Sequence, residues 1–82
     1  MGESSSIILV FYTTAGCHLC EQAALLLEEL GKLRDINVDS VDISADPTLV
    51  GLYGIRIPVV RNPANDKELG WPFQLEDLLN LT

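Results

Sequence analysis

Ile7-Ile8-Leu9-Val10-Phe11-Tyr12, then Thr13-Thr14-Ala15-Gly16, then Cys17-His18-Leu19-Cys20: an apolar run, a turn, and two thiols three residues apart. The first six residues are continuously apolar, β-branched or aromatic. That predicts a strand buried on both faces, of the kind found in the centre of a parallel or mixed sheet. From Cys17 to about Leu33 the spacing becomes helical, with Cys20, Ala23, Ala24, Leu27 and Leu30 on one face and Glu21, Gln22, Glu28, Glu29 and Lys32 on the other. A strand turning directly into a helix places Cys17 at the helix N-terminus, where unpaired backbone N–H groups favour negative charge on sulfur. The thiolate is the reactive form, so the Cys17 pKa is expected below the free value of about 8.5. Cys20, about one helical turn on, is then within reach to close a disulfide. These are the only two cysteines of the chain.

The rest of the chain supplies a fold around this unit. Asn37 to Ile43 reads as a second strand whose alternation slips at Asp39-Ser40, leaving its register open. Asp46-Pro47 is a helix start: Asp46 caps orphan N–H groups and Pro47 suits the first helical position. Leu49, Val50 and Tyr53 give that short helix an apolar stripe, and Gly54 ends it. Ile57 to Arg61 is a proline-led strand, Asn62 to Asp66 a turn cluster, and Lys67 to Gly70 the hairpin partner. Trp71-Pro72-Phe73 leads into a last helix over Gln74 to Leu81, with Phe73 expected to staple onto Leu78. The order is β-α-β-α-β-β-α. The first two strands, joined by a long helix, should be parallel and the last two an antiparallel hairpin. This is an α/β fold with a four-stranded mixed sheet flanked by helices, spanning residues 7–82 after a disordered polar tail over residues 1–6.

Bulk composition narrows the function classes. A chain of 82 residues makes one small domain, and 48% hydrophobic with 21% charged residues is ordinary for a globular one. Five Lys/Arg against twelve Asp/Glu leave a net charge of −7. Such a surface is repelled by phosphate backbones and anionic lipid, so neither nucleic acid nor membrane is expected as a partner. No stretch approaches the ~20 apolar residues that span a bilayer. Met1 to Ser6 fits the short myristoylation pattern but reads as a polar tail, and no basic segment precedes the apolar run as in a signal peptide. A cytoplasmic location and a monomer are expected. Two cysteines in a reducing compartment point to catalysis or metal binding over a structural staple.

The chemistry expected of Cys17-His18-Leu19-Cys20 is dithiol–disulfide exchange. Cys17 is the nucleophile that attacks a substrate disulfide, and Cys20 is the resolving thiol that releases the reduced substrate. His18 stands between them, either as an imidazolium modulating the Cys17 thiolate or as an exposed first-turn residue. No metal site is expected, because Cys17, His18 and Cys20 fall short of a full zinc ligand set; a dimer sharing zinc or a di-iron cluster is a third alternative. Pro58 is acceptable simply as a strand-start proline. A cis Ile57–Pro58 bond would instead turn the Ile57 backbone toward the thiols and let an extended substrate pair there.

Cys17-His18-Leu19-Cys20 after a buried strand, with Ile57-Pro58-Val59 before a hairpin, resembles the thioredoxin-fold superfamily. Gly16 to Glu21, Ile57-Pro58-Val59 and Trp71-Pro72-Phe73 resemble the small bacterial glutaredoxin-like proteins within it, over residues 7 to 81. The resemblance implies a thioredoxin-like fold, a cis Pro58, a Cys17 nucleophile, and Ile57, Pro58 and Trp71 as substrate-binding residues. It also implies a role in cell redox homeostasis, acting on a disulfide-containing protein or small thiol. The departures bear on glutathione. Typical glutaredoxins carry a lysine where Thr14 stands, a proline where His18 stands, and a Gly-Gly pair where this chain has Gly70-Trp71. Glutathione therefore lacks its usual binding residues and no tightly bound cofactor is expected; Arg56 or Arg61 is a candidate substitute, or else a surface charge. Trp71 is either a platform beside Cys17 or a core residue. The competing reading is a non-catalytic thioredoxin-fold binding or adaptor module.

Overall fold

A computed structural model describes residues 7–82 of the protein; the tail expected over residues 1–6 lies outside them. The elements run β1 (Ile7–Thr13), α1 (His18–Leu33), β2 (Ile36–Asp42), a single 3₁₀ turn (Ile43–Ala45), α2 (Pro47–Tyr53), β3 (Val59–Asn62), β4 (Lys67–Gly70) and α3 (Leu75–Leu81). They form one sheet in the order β2-β1-β3-β4. β1 pairs in parallel with β2 along its whole length, from Ile7 opposite Ile36 to Thr13 opposite Asp42. Its other edge pairs antiparallel with β3, and β3 with β4. The sheet is mixed, with helices on both faces: this is the thioredoxin-like architecture.

Strand alternation divides the core into two layers. Leu9 and Phe11 of β1 and Val60 of β3 point to one face, where they meet Cys20, Ala23, Leu27 and Leu30 of α1 and Leu78 and Leu81 of α3. Tyr12 and Val59 point to the other face and meet Ile43 and Tyr53, with Leu49 of α2 packed beside them. β1 is thus covered on both sides towards its C-terminal end, which its unbroken apolar run requires. At its start Ile8 is 54% exposed. Each fully buried Leu or Val here contributes roughly 1.5–3 kcal/mol of transfer free energy.

Local chemistry sets the element ends. Asp46 accepts the Thr48 N–H at 2.9 Å, with Pro47 in the first turn. Gly54 follows α2, and a Cβ there would lie 2.5 Å from the Val50 carbonyl oxygen. The Gln74 N–H donates to Asp77 Oδ2 at 2.8 Å where α3 begins, and Phe73 and Leu78 are both buried beside that start.

Three expectations need correction. β2 begins and ends one residue earlier than the sequence suggests. It is an edge strand, exposed from Asn37 to Ser40, so its register is imposed by backbone pairing to β1 and not by its own pattern. Ala24 is exposed, because no further strand beyond β2 covers that flank of α1; it borders a shallow hollow with Leu27, Glu28 and Val38. The β3 ladder starts at Val59, with Ile57 and Pro58 ahead of it. α1 ends at Leu33, as its spacing predicts, and there the Arg34 N–H closes on the Leu30 carbonyl at 2.9 Å.

Candidate functional site

The β1–α1 turn is built to present Cys17. Gly16 has φ +77°, the left-handed region that a residue without Cβ enters freely. The Cys17 N–H then reaches the Thr14 carbonyl at 3.4 Å, and Cys17 adopts extended geometry as the N-cap of α1. Its Sγ accepts the Cys20 backbone N–H at 3.1 Å, so the sulfur occupies the place of a capping oxygen. Cys17 and Cys20 are joined in a disulfide with their Cα atoms 5.2 Å apart. The two sulfurs differ in access: Cys17 is half-buried and Cys20 is 4% exposed, packed in the core under α1. An incoming thiolate therefore meets Cys17. Attack there bonds the incoming sulfur to Cys17 Sγ and releases the buried Cys20 sulfur as the leaving thiolate.

His18 and Leu19 are exposed on the first turn, and among the described residues His18 makes no hydrogen bond or ion pair. A groove of about 290 Å³ runs along Cys17 and Cys20, bordered by Thr13 to Gly16, Glu21, Phe11 and Ala24. Ile57, Pro58 and Trp71 do not line it. The Ile57–Pro58 peptide is cis, as is Trp71–Pro72. Pro58 is fully buried, and its carbonyl accepts the Trp71 N–H at 3.1 Å. Ile57 is half-buried against both core layers, and its N–H is already donated to the Tyr53 carbonyl at 3.0 Å. Trp71 packs edge-on to Phe73, centroids 5.1 Å apart, and lines a separate groove of about 410 Å³ with Gln22, Leu25, Leu26 and Glu29 of α1. Cys17, Ile57 and Trp71 all pack on the core layer that contains Cys20.

On the α2 face lies an arrangement the sequence reading missed. Tyr12 and Tyr53 stack with centroids 4.2 Å apart, and the Tyr53 hydroxyl donates to Glu68 at 2.6 Å. The other Glu68 oxygen takes the Arg56 guanidinium at 3.2 Å, and Arg56 also lies over the Tyr53 ring. The hydrogen bond to Glu68, then burial, hold the Tyr53 pKa well above the usual tyrosine range. Arg61 is paired with Asp66, which raises its pKa further. Both candidate anion-binding arginines are thus engaged by the chain's own carboxylates. Asp42, opposite Thr13 in the sheet, has its pKa lowered by hydrogen bonds from the Ser44 hydroxyl and then the Ser44 N–H. No sequence signal could have paired Tyr53 with Glu68, which are fifteen residues apart on different elements.

Among the described residues no helix is long and apolar enough to cross a membrane, and no group of three or more His, Cys, Asp or Glu side chains is placed to hold a metal. Two solved structures of similar sequence share the fold. The structural-genomics target XcR50 from X. campestris is 38% identical, covering 85% of this chain and 88% of its own, with a TM-score of 0.75. Protein Ne2328 from Nitrosomonas europaea is 28% identical over 100% and 99% of the two chains, with a TM-score of 0.80. A mutant thioredoxin from Halobacterium salinarum superimposes with a TM-score of 0.72 at 21% identity, over 93% of this chain and 71% of its own, a likeness of fold. No curated protein sequence matches the chain. The model of the glutaredoxin-like domain (DUF836) family matches residues 8–81, and with its thioredoxin-like sheet and Cys-x-x-Cys turn the chain belongs to that family.

Proposed function

We propose that the protein is a thiol–disulfide oxidoreductase of cell redox homeostasis that works through Cys17 and Cys20. In the dithiol form the Cys17 thiolate attacks one sulfur of a substrate disulfide; a Cys17–substrate mixed disulfide forms and the first substrate thiolate leaves. Cys20 then gives up its proton and attacks Cys17 Sγ, which forms the Cys17–Cys20 bond and expels the second substrate thiolate. Two electrons pass from the protein to the substrate, and a thiol or dithiol reductant restores the pair. The observation that carries this reading is the asymmetry of the disulfide: an accessible sulfur that accepts a helix N–H, joined to one sealed in the core. Ile57, half-buried on the same core layer as Cys17 and next to the cis Pro58, flanks the substrate site beside the groove. The substrate is a disulfide-containing protein or small thiol, met by a monomer in the cytoplasm. His18 modulates the Cys17 thiolate from the first turn.

Cys17→Ser is expected to abolish disulfide reduction, and Cys20→Ser to accumulate a mixed disulfide detectable by intact mass. Wild-type turnover in Cys17→Ser would overturn the assignment. A second reading, a binding or adaptor module, is favoured by the groove between Trp71 and α1, where Leu25 is 63% exposed. It predicts a partner bound equally well when both cysteines are serine.

A further inference from the structure

The topology segregates charge along the sheet. β1 runs towards Cys17, so its partners show which residues share the disulfide end: Asp42 lies opposite Thr13, and Val59, next to Pro58, lies opposite Tyr12. Three of the five cations lie towards the other end, while Arg61 stands mid-sheet opposite Val10 and Arg56, two residues before Pro58, is held by Glu68. Lys32 and Arg34 are at the C-terminus of α1, about 22–26 Å along the helix from Cys17 at ~1.5 Å per residue. Lys67 stands opposite Asn62, at the turn end of the hairpin. Four of the five Lys/Arg side chains also hold groups of the chain itself: Lys32 holds Glu29, Arg34 the Leu33 carbonyl, Arg56 Glu68 and Arg61 Asp66. At the disulfide the balance is opposite. Glu21 is the one Asp, Glu, Lys or Arg lining the Cys17 groove, and Asp42, favoured in its ionised form by Ser44, closes the neighbouring strand.

We propose that the Cys17 groove selects disulfides flanked by positive charge over anionic ones such as glutathione disulfide, with Glu21 as the side chain that sets the preference. The inference rests on the oxidoreductase reading and names its substrate class. A glutathione half carries two carboxylates against one ammonium, and the groove offers it no lysine or arginine. A disulfide beside ammonium or guanidinium groups instead gains attraction from Glu21 at the encounter and in the mixed disulfide. The redox step is unchanged: protein dithiol plus substrate disulfide gives protein disulfide plus two substrate thiols.

The test uses three small disulfides that differ in charge. Cystamine carries two ammonium groups, dithiodiethanol none, and dithiodipropionate two carboxylates. Full-length protein is reduced to the dithiol, freed of reductant, and mixed with each; formation of the Cys17–Cys20 bond is followed over time. Each rate is divided by that of dithiothreitol with the same disulfide, which removes the intrinsic reactivity of the leaving thiol. At low salt the normalised cystamine rate should exceed that of dithiodipropionate by about tenfold, and the ratio should shrink as salt screens it. Glu21→Gln should lower the ratio by about threefold, whereas Glu76→Gln, the same change of net charge on α3, should not. The wild-type series carries the test without any variant. Equal normalised rates, or a faster dithiodipropionate, would overturn the selectivity and leave the oxidoreductase reading standing. An equal effect of Glu76→Gln would remove Glu21 from the role. No exchange with any of the three would remove the oxidoreductase reading, and this inference with it.

Discussion

Tyr53 shows how much one side chain can tie together. Its ring stacks on Tyr12, its hydroxyl binds Glu68, and its carbonyl accepts the N–H groups of Arg56 and Ile57. It therefore links the end of α2 to β1, to β4 and to the segment that carries Ile57 into Pro58. Tyr53→Phe keeps the stack and removes the bond to the carboxylate, at an expected cost of about 1–2 kcal/mol in urea denaturation. The pH dependence has a definite sign. Because the folded-state pKa is raised, the bond contributes fully below the ordinary tyrosine value of 10.0. Above that value the unfolded chain releases its phenolic proton while the native protein holds it, so stability falls as pH rises. Stability curves of wild type and Tyr53→Phe should converge with increasing alkalinity; parallel curves would contradict the assigned shift. Cys17 was legible at this scale because its chemistry depends on local sequence, a strand, a turn and a helix start. The partners of Tyr53 and Arg56 were not, since both meet Glu68 of β4 only once the sheet has assembled.

At the scale of elements, the β1–turn–α1 unit is the part of the protein where local and tertiary preferences agree. The apolar run, the left-handed Gly16 and the capping Cys17 each favour the same path. Gly16→Ala tests this. Nothing lies within 4 Å of a Cβ there, so the cost is one of backbone conformation alone. A loss of about 1–2 kcal/mol in the free energy of unfolding is expected. An unchanged denaturation midpoint would mean that the turn relaxes to another geometry. β2 is the opposite case. Its slipping alternation left the register open because an edge strand has little to bury, and only its pairing with β1 decides that Ile36 stands opposite Ile7. The exposure of Ala24 has the same origin: the helical stripe is readable from spacing, but its width depends on where the sheet ends.

For the whole molecule, a small domain leaves little margin. A chain of this length is held by about 4–12 kcal/mol in total. Leu30 is fully buried in the layer where α1 meets α3. Leu30→Ala should cost about 2–5 kcal/mol, enough to lower the thermal midpoint markedly. Leu25→Ala, on the exposed side of the same helix, should stay within about 0.5 kcal/mol. Equal effects would mean that the two faces of α1 are not distinguished as the structure has them. By itself the sequence determined the element order, the parallel pairing of the first two strands, the capped starts of α1 and α2, and the one-turn separation of the two cysteines. All of these follow from periodicity and short-range chemistry within a few residues. The tertiary structure alone decided that Trp71 lies in its own groove on α1 and that Arg56 is engaged by Glu68. Those outcomes depend on residues brought together by the sheet from distant parts of the chain, and burial and ion pairing are properties of that assembled neighbourhood.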